Sequence, residues 1–197
     1  MTLKIKKISV FCGTHYGNNG IYRQQALLLG RRLAGRKIGL VYGGARVGLM
    51  GAVADGALDA GGQVTGVFPG FLEDLEIAHK GLSELIIVDS MHARKTRMNE
   101  LCDGAIALPG GYGTLEELFE MLTWAQLGLH SKPVAILNTA GYYDGLLELI
   151  HKMVNIGFLK EKTRQMLLVD DEIDVILDRM EAYDAPGVEK WISEDEL

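Results

Sequence analysis

The sequence has few cysteines, and its histidines do not cluster. Cys12 and Cys102 lie far apart and form no CxxC pair, so a disulfide framework or a redox dithiol is not expected. We expect two buried free thiols in a reducing cytoplasm. The five histidines are scattered, with no HExxH motif and no Cys/His cluster, and we therefore predict no metal site.

Basic runs and long apolar runs are also missing. The net charge is −6 and no basic run exceeds two or three residues, which disfavours nucleic-acid or acidic-membrane binding by bulk charge. No apolar stretch approaches the length of a membrane span, and the N-terminal one is too short for a signal peptide. A cytoplasmic location is the expectation, and a small anionic ligand remains possible.

The chain instead alternates short β-rich apolar runs with longer stretches of helical periodicity. The strand-like runs are ISVFCG, IGLVYGGA, QVTGVFPG, ELIIVDS, GAIALPGG, PVAILNTAG and MLLVDD. Strands separated by helix-length segments indicate an α/β fold in which a parallel sheet carries helices on both faces. Connections are short and no Pro/Ser-rich linker appears, so we predict a single doubly wound domain over residues 1–197.

Glycine is abundant, and it clusters where three of these strands end. The clusters are Gly13 to Gly20, Gly43 to Gly51 and Gly110 to Gly113. Because ligands of such sheets bind beyond the carboxyl ends of the strands, three clusters there favour a ligand site over three ordinary turns. GGARVGLM lacks the Lys-Ser/Thr of a P-loop, and GTHYGNNG lacks the dinucleotide spacing. A mononucleotide held by backbone amides remains open.

The stretch LPGGYGTLEE at 108–117 combines an anion-binding turn with two carboxylates. Its glycines precede a helix whose free N–H groups and dipole favour a phosphate. A purely structural alternative makes Thr114 the N-cap and Glu117 its partner in a capping box. A functional alternative is that Glu117 stabilises a positive charge, as paired carboxylates do for the oxocarbenium-like transition state of a sugar. A nucleoside monophosphate would supply both the phosphate and the sugar.

The helix after ELIIVDS places charge on its apolar stripe. Met91, Met98, Leu101 and Cys102 form the stripe, and Arg94 and Lys95 fall on the same face. Snorkelling of long side chains explains Lys95 about as well as a functional role does, and Arg94 less well. An inward Arg94 would orient Glu117, bind phosphate or stabilise a departing base.

Two motifs together resemble those of the LONELY GUY family of cytokinin riboside 5′-monophosphate phosphoribohydrolases, once labelled "possible lysine decarboxylases". They are MHARK at 91–95 and PGGYGTLEE at 109–117, and VFCGT, VYGGARVGLMG and ELFEMLTWAQLGLHSKPV also fit. Two positions depart from the family pattern, Thr14 in place of serine and Ala45 in place of a third glycine. The decarboxylase label finds no support, since nothing marks a Schiff-base lysine.

The resemblance implies a Rossmann-like fold, a homodimer, and hydrolysis of AMP or N6-substituted AMP to free base and ribose 5-phosphate, without cofactor or metal. It implies Arg94 and Glu117 as the catalytic pair. The substrate contacts it implies are Glu76, Arg94, Lys95, Gly111, Tyr112, Gly113, Thr114, Leu115, Glu116, Glu117 and Thr123. An alternative is a non-catalytic nucleotide or cofactor carrier of the same fold.

Overall fold

The computed structural model describes residues 4–72 and 78–187. Its strands are β1 Lys7–Phe11, β2 Gly39–Tyr42, β3 Val64–Pro69, β4 Glu84–Val88, β5 Gly104–Ala107, β6 Val134–Leu137 and β7 Leu167–Asp170. Its α-helices are α1 Gly20–Gly35, α2 Gly48–Asp59, α3 Met91–Leu101, α4 Tyr112–Gln126, α5 Asp144–Asn155, α6 Glu161–Arg164 and α7 Ile173–Glu181. Each of the seven predicted apolar runs therefore overlaps one strand.

These strands form one parallel sheet in the order β4-β3-β2-β1-β5-β6-β7. The chain leaves β1 toward one edge through β2, β3 and β4, and then returns to the other side of β1 for β5, β6 and β7. The order thus reverses between β1 and β5, which pair Val10 with Ile106. In open α/β sheets this reversal opens a crevice at the carboxyl ends of the two strands.

Helices cover both faces, as predicted. Helices α1, α2 and α7 pack against one face, in a core that includes Leu29, Val53 and Ile176. Helices α3, α4 and α5 pack against the other through Met98, Leu118 and Ile150. Because both sides of the central strands are covered, these strands are mostly apolar, and every residue of β5 is buried.

The start of α4 differs from the expected capping box. The helix begins at Tyr112 with Gly111 as its N-cap, and no side chain caps it. Thr114 is therefore the third helical residue, and Glu117 is the sixth, three residues further into the helix than a capping box requires. The capping interpretation of this Thr/Glu pair is wrong, because the helix starts three residues earlier, directly after Gly111.

Two further findings concern the described ranges. The sequence patterns did not predict the single-turn helix α6, which is too short for a periodicity to show. Within the residues that are described, no helix is both long and apolar enough to cross a membrane. That residues 1–197 form a single domain stays a prediction.

Candidate active site

The three glycine clusters meet at the carboxyl ends of β1, β2 and β5. The amide of Gly13 donates to Pro109 O at 3.0 Å, and the amide of Leu49 donates to Gly13 O at 3.0 Å. The loop after β1 is thus tied on one side to the loop after β5 and on the other to the start of α2. The predicted gathering of the glycines along one edge of the sheet is confirmed.

Gly48 shows why one of these turns requires glycine. Its φ is +54°, a conformation that side chains disfavour, and a Cβ there would overlap the carbonyl carbon of Thr14. Helix α2 can therefore begin directly against the loop after β1. This contact brings Met50, two residues further on, to the wall of a cleft of about 250 Å³.

The cleft has the N-terminus of α4 at one end. Gly111, Tyr112, Gly113 and Thr114 line it, and the first N–H with a helical acceptor in this turn is that of Leu115, which donates to Gly111 O at 3.2 Å. The preceding amides have no acceptor within the helix, and the helix dipole adds partial positive charge there. This end of the cleft is suited to a phosphate.

Arg94 is the buried cation of the cleft. Its residue is only 9% exposed, which confirms the prediction that it faces inward on α3. Among the described residues, Nη1 contacts Met91 Sδ at 3.9 Å, Nη2 lies 3.7 Å from Glu117 Oε1, and Nε has no hydrogen-bond partner. The guanidinium is charged and desolvated but poorly satisfied, so it is poised to donate to a ligand.

Glu117 faces Arg94 from α4 with a side chain that is 12% exposed. Burial raises the pKa of its carboxyl from 4.5 to about 7, with Arg94 opposing the shift, Glu116 adding to it, Lys95 opposing it and Glu120 adding to it. The pair that was predicted from separate motifs is therefore adjacent. A carboxyl with a pKa near neutrality can both accept and return a proton at physiological pH.

Lys95 binds two other carboxylates of α4. Its ammonium pairs with Glu116 through a short hydrogen bond and with Glu120 at 3.0 Å. Burial alone would lower the pKa of Lys95, but the hydrogen bonds to these carboxylates outweigh it and the pKa is raised. A Schiff-base lysine must lose its proton to react, so this environment argues against amine chemistry at Lys95.

Two other described residues that the resemblance implies as substrate contacts are not found in the lining of the cleft. The side chain of Leu115 packs into the core beneath α4. Thr123 donates its hydroxyl to Phe119 O at 2.7 Å, and it lines an apolar groove beside Ile150 and Met153 rather than the cleft. It lies six positions after Glu117, which is roughly 9 Å along a helix. Its role as a substrate contact stays a prediction, and Glu76 lies outside the described residues.

The cleft also contains residues that the sequence patterns did not select. Cys12, Met50 and Met91 line it. Burial raises the pKa of the Cys12 thiol, and the nearby Glu117 carboxylate adds to this effect, so the thiol is inert. The position of Cys12 directly after β1 was the available signal. Outside the lining of the cleft, the partner of Lys95, Glu120, was also not selected, although its i+4 spacing from Glu116 places both on one face of α4.

A second pocket of about 290 Å³ lies beside the cleft and shares Gly13, Thr14 and Gly111 with it. Tyr16, Tyr22 and Tyr142 give it an aromatic wall. The hydroxyl of Tyr142 donates to Gly110 O at 2.5 Å and so holds the turn after β5. Within residues 4–72 and 78–187, no group of three or more His, Cys, Asp or Glu side chains is arranged to hold a metal.

Comparisons with known proteins agree with this geometry. The family described as "Possible lysine decarboxylase" matches residues 50–180. A probable cytokinin riboside 5′-monophosphate phosphoribohydrolase of Oryza sativa subsp. japonica is 49% identical over 90% of this chain and 79% of its own. A cytokinin riboside 5′-monophosphate phosphoribohydrolase of Rhodococcoides fascians is 51% identical over 86% of both chains.

A solved structure shares the fold at much lower identity. The molybdenum cofactor binding protein from Rippkaea orientalis superposes with a TM-score of 0.69 over 92% of this chain and 98% of its own, at 20% identity. This likeness supports the Rossmann-like α/β fold alone, because identity at that level does not carry a ligand.

Proposed function

The chain belongs to the cytokinin riboside 5′-monophosphate phosphoribohydrolase family, and from this premise we propose that it hydrolyses the N-glycosidic bond of nucleoside 5′-monophosphates. The substrate is AMP or an N6-substituted AMP, and the products are the free base and ribose 5-phosphate. The observation that carries the proposal is the buried Arg94–Glu117 pair, 3.7 Å apart, in a cleft that ends at a helix N-terminus.

The phosphate binds at the start of α4. The amides of Tyr112, Gly113 and Thr114 have no acceptor within the helix, and a dianion there complements the helix dipole. Lys95 contributes only indirectly, since Glu116 and Glu120 already hold its ammonium. Binding the phosphate at this end directs the sugar along the cleft toward Glu117.

Glu117 serves the ribose end of the substrate. As the bond from C1′ to the base nitrogen breaks, C1′ gains positive charge, and the carboxylate stabilises it and accepts a proton from the attacking water. The water oxygen becomes the new hydroxyl on C1′. A pKa of about 7 lets the same carboxyl release that proton again after each turnover.

Arg94 acts on the departing base. The base leaves with the electron pair of the broken bond and must be neutralised by a proton, ultimately the one lost by water. A guanidinium is a poor proton donor but a strong hydrogen-bond donor. Its poorly satisfied N–H groups stabilise the negative charge on the base while proton transfer completes.

A carrier of the same fold is the alternative function. Its support is the likeness to a cofactor-binding protein, which extends to the fold only. A carrier needs a phosphate cradle but has no need of a buried arginine beside a carboxyl of raised pKa. The presence of Arg94 and Glu117 together in one cleft therefore favours an enzyme over a carrier.

We also propose that the protein acts as a cytoplasmic homodimer. The free, buried thiols of Cys12 and Cys102 suit a reducing compartment. Along α4 and the turn that follows it, Tyr112, Leu127 and Leu129 are all exposed, and exposed apolar surface that extends over several residues supports contact with a partner. Light scattering on the eluting protein measures the oligomeric state directly.

The activity test is to incubate the protein with AMP and with isopentenyl-AMP and to measure the free base by chromatography. We expect release of base from at least one substrate, lost by about 100-fold or more in Glu117→Gln with nucleotide binding retained. Glu148→Gln, an exposed glutamate of α5, is the matched control and should be fully active. Absence of base from both substrates with folded protein rejects the proposed function.

A further inference from the structure

Gly43, directly after β2, lies beneath the guanidinium of Arg94. A Cβ built on Gly43 would overlap Nη2 of Arg94, and would lie 2.8 Å from Arg94 Cζ and 2.5 Å from Met50 Cε. Such separations are too short for non-bonded atoms. The space that the guanidinium occupies therefore exists only because residue 43 has no side chain.

The backbone of Gly43 does not itself require glycine. Its φ lies outside the left-handed region, unlike that of Gly44 at +80°. The colliding atoms are the ends of flexible side chains rather than backbone. An alanine at 43 is thus compatible with the fold, and the strain it introduces falls on Arg94 and Met50.

No strong hydrogen bond to the described residues holds the Arg94 guanidinium in place. Among the described residues, its guanidinium contacts Met91 Sδ at 3.9 Å and Glu117 Oε1 at 3.7 Å, both longer than a strong hydrogen bond, and Nε has no partner. Its position depends instead on the shape of the space between Gly43, Met50 and Met91. A group held by packing moves when the packing changes.

We propose that Gly43 is a positioning residue that seats the Arg94 guanidinium against Glu117. This inference rests on the proposed function, in which Arg94 acts on the leaving base. A methyl group at 43 displaces the guanidinium from Glu117 and from the base without altering either side chain. A misplacement of about 1 Å can cost on the order of 100-fold in rate, so a single methyl group is enough to matter.

The first test follows the titration of the Glu117 carboxyl by ¹³C NMR, which requires no turnover. The charged groups that act on this carboxyl are Arg94 and Lys95 on α3 and Glu116 and Glu120 on α4. Because Arg94 lowers the pKa of Glu117, moving the guanidinium away should raise that pKa above about 7 in Gly43→Ala. Arg94→Ala should also raise the pKa of Glu117. In the Arg94→Ala variant, the further change Gly43→Ala should not alter this pKa.

The second test is kinetic. In the wild-type background Gly43→Ala should lower kcat by about tenfold or more, and in the Arg94→Ala background it should change kcat by less than about twofold. Gly104→Ala is the control for crowding elsewhere in the core, since its Cβ would lie 2.8 Å from Met180 Cε and 3.1 Å from both Cγ and O of Pro133, away from the cleft. It imposes a similar methionine displacement and should leave both kcat and the Glu117 titration unchanged.

Three results would overturn the role of Gly43. They are an unchanged Glu117 titration in Gly43→Ala, equal shifts with and without Arg94, and an equal loss of kcat in Gly104→Ala. If Gly43→Ala does not fold, the double variant Gly43→Ala/Met50→Ala removes the clash with the methionine. The Glu117 titration and kcat of this double variant are then compared with those of Met50→Ala. A wild-type protein that releases no base rejects the proposed function, and the NMR comparison still decides whether Gly43 positions Arg94.

Discussion

The buried carboxyl of Glu117 makes the stability of this protein depend on pH, and the Glu117→Gln variant measures this contribution separately. Its pKa is about 7 in the folded protein and 4.5 as an ordinary glutamate. Between these values the folded chain keeps a proton that the unfolded chain has released. Raising the pH therefore favours unfolding, and stability falls through this window until it levels off above about pH 7.

The magnitude follows from the size of the shift. A difference of one pKa unit corresponds to about 1.36 kcal/mol, so a rise from 4.5 to about 7 amounts to about 3 kcal/mol. The Glu117→Gln variant cannot ionise at this position. The free energy of unfolding of the variant should therefore increase by about 3 kcal/mol relative to that of the wild type between about pH 4 and about pH 8.5, because only the wild type loses stability over this range.

Urea unfolding at a series of pH values measures this difference. Any effect of glutamine that does not depend on pH, such as altered packing, shifts the free energy of unfolding equally at all pH values and cancels from the trend. The exposed control Glu148→Gln should show no such trend. A difference for Glu117→Gln that stays flat within about 0.5 kcal/mol, or that falls as pH rises, refutes the argument that burial dominates at this carboxyl.

Three further predictions concern the supports of the cleft. Lys95→Ala removes a charge that lowers the pKa of Glu117, so the acidic side of the profile of kcat against pH should shift to higher pH. An unchanged pH profile contradicts this prediction. Gly48→Ala forces a side chain into a left-handed conformation against backbone and should destabilise the protein by about 2 kcal/mol or more in urea, whereas Gly145→Ala, with open space around it, should not. Tyr142→Phe removes the hydrogen bond to Gly110 O in the turn after β5, and it should raise KM for AMP severalfold with kcat retained. An unchanged KM would show that this hydrogen bond does not support phosphate binding.

The pattern of the sequence was sufficient for the architecture. Alternating apolar runs and helical periods predicted the strands, the parallel sheet and the helices on both faces, because these features depend on residues close together in the chain. The spacing within α3 likewise predicted that Arg94 points inward, since a helix brings residues three and four apart onto one face. Two motifs then predicted the Arg94–Glu117 pair.

The tertiary structure alone decided how these parts work together. It placed Gly43 beneath Arg94, 51 positions away in the sequence, and it gave the ammonium of Lys95 two carboxylate partners. It also raised the pKa of Glu117, because that shift comes from the removal of water by several elements at once. Local patterns specify which face of a helix or strand is buried, whereas the order of the strands determines which residues that face contacts.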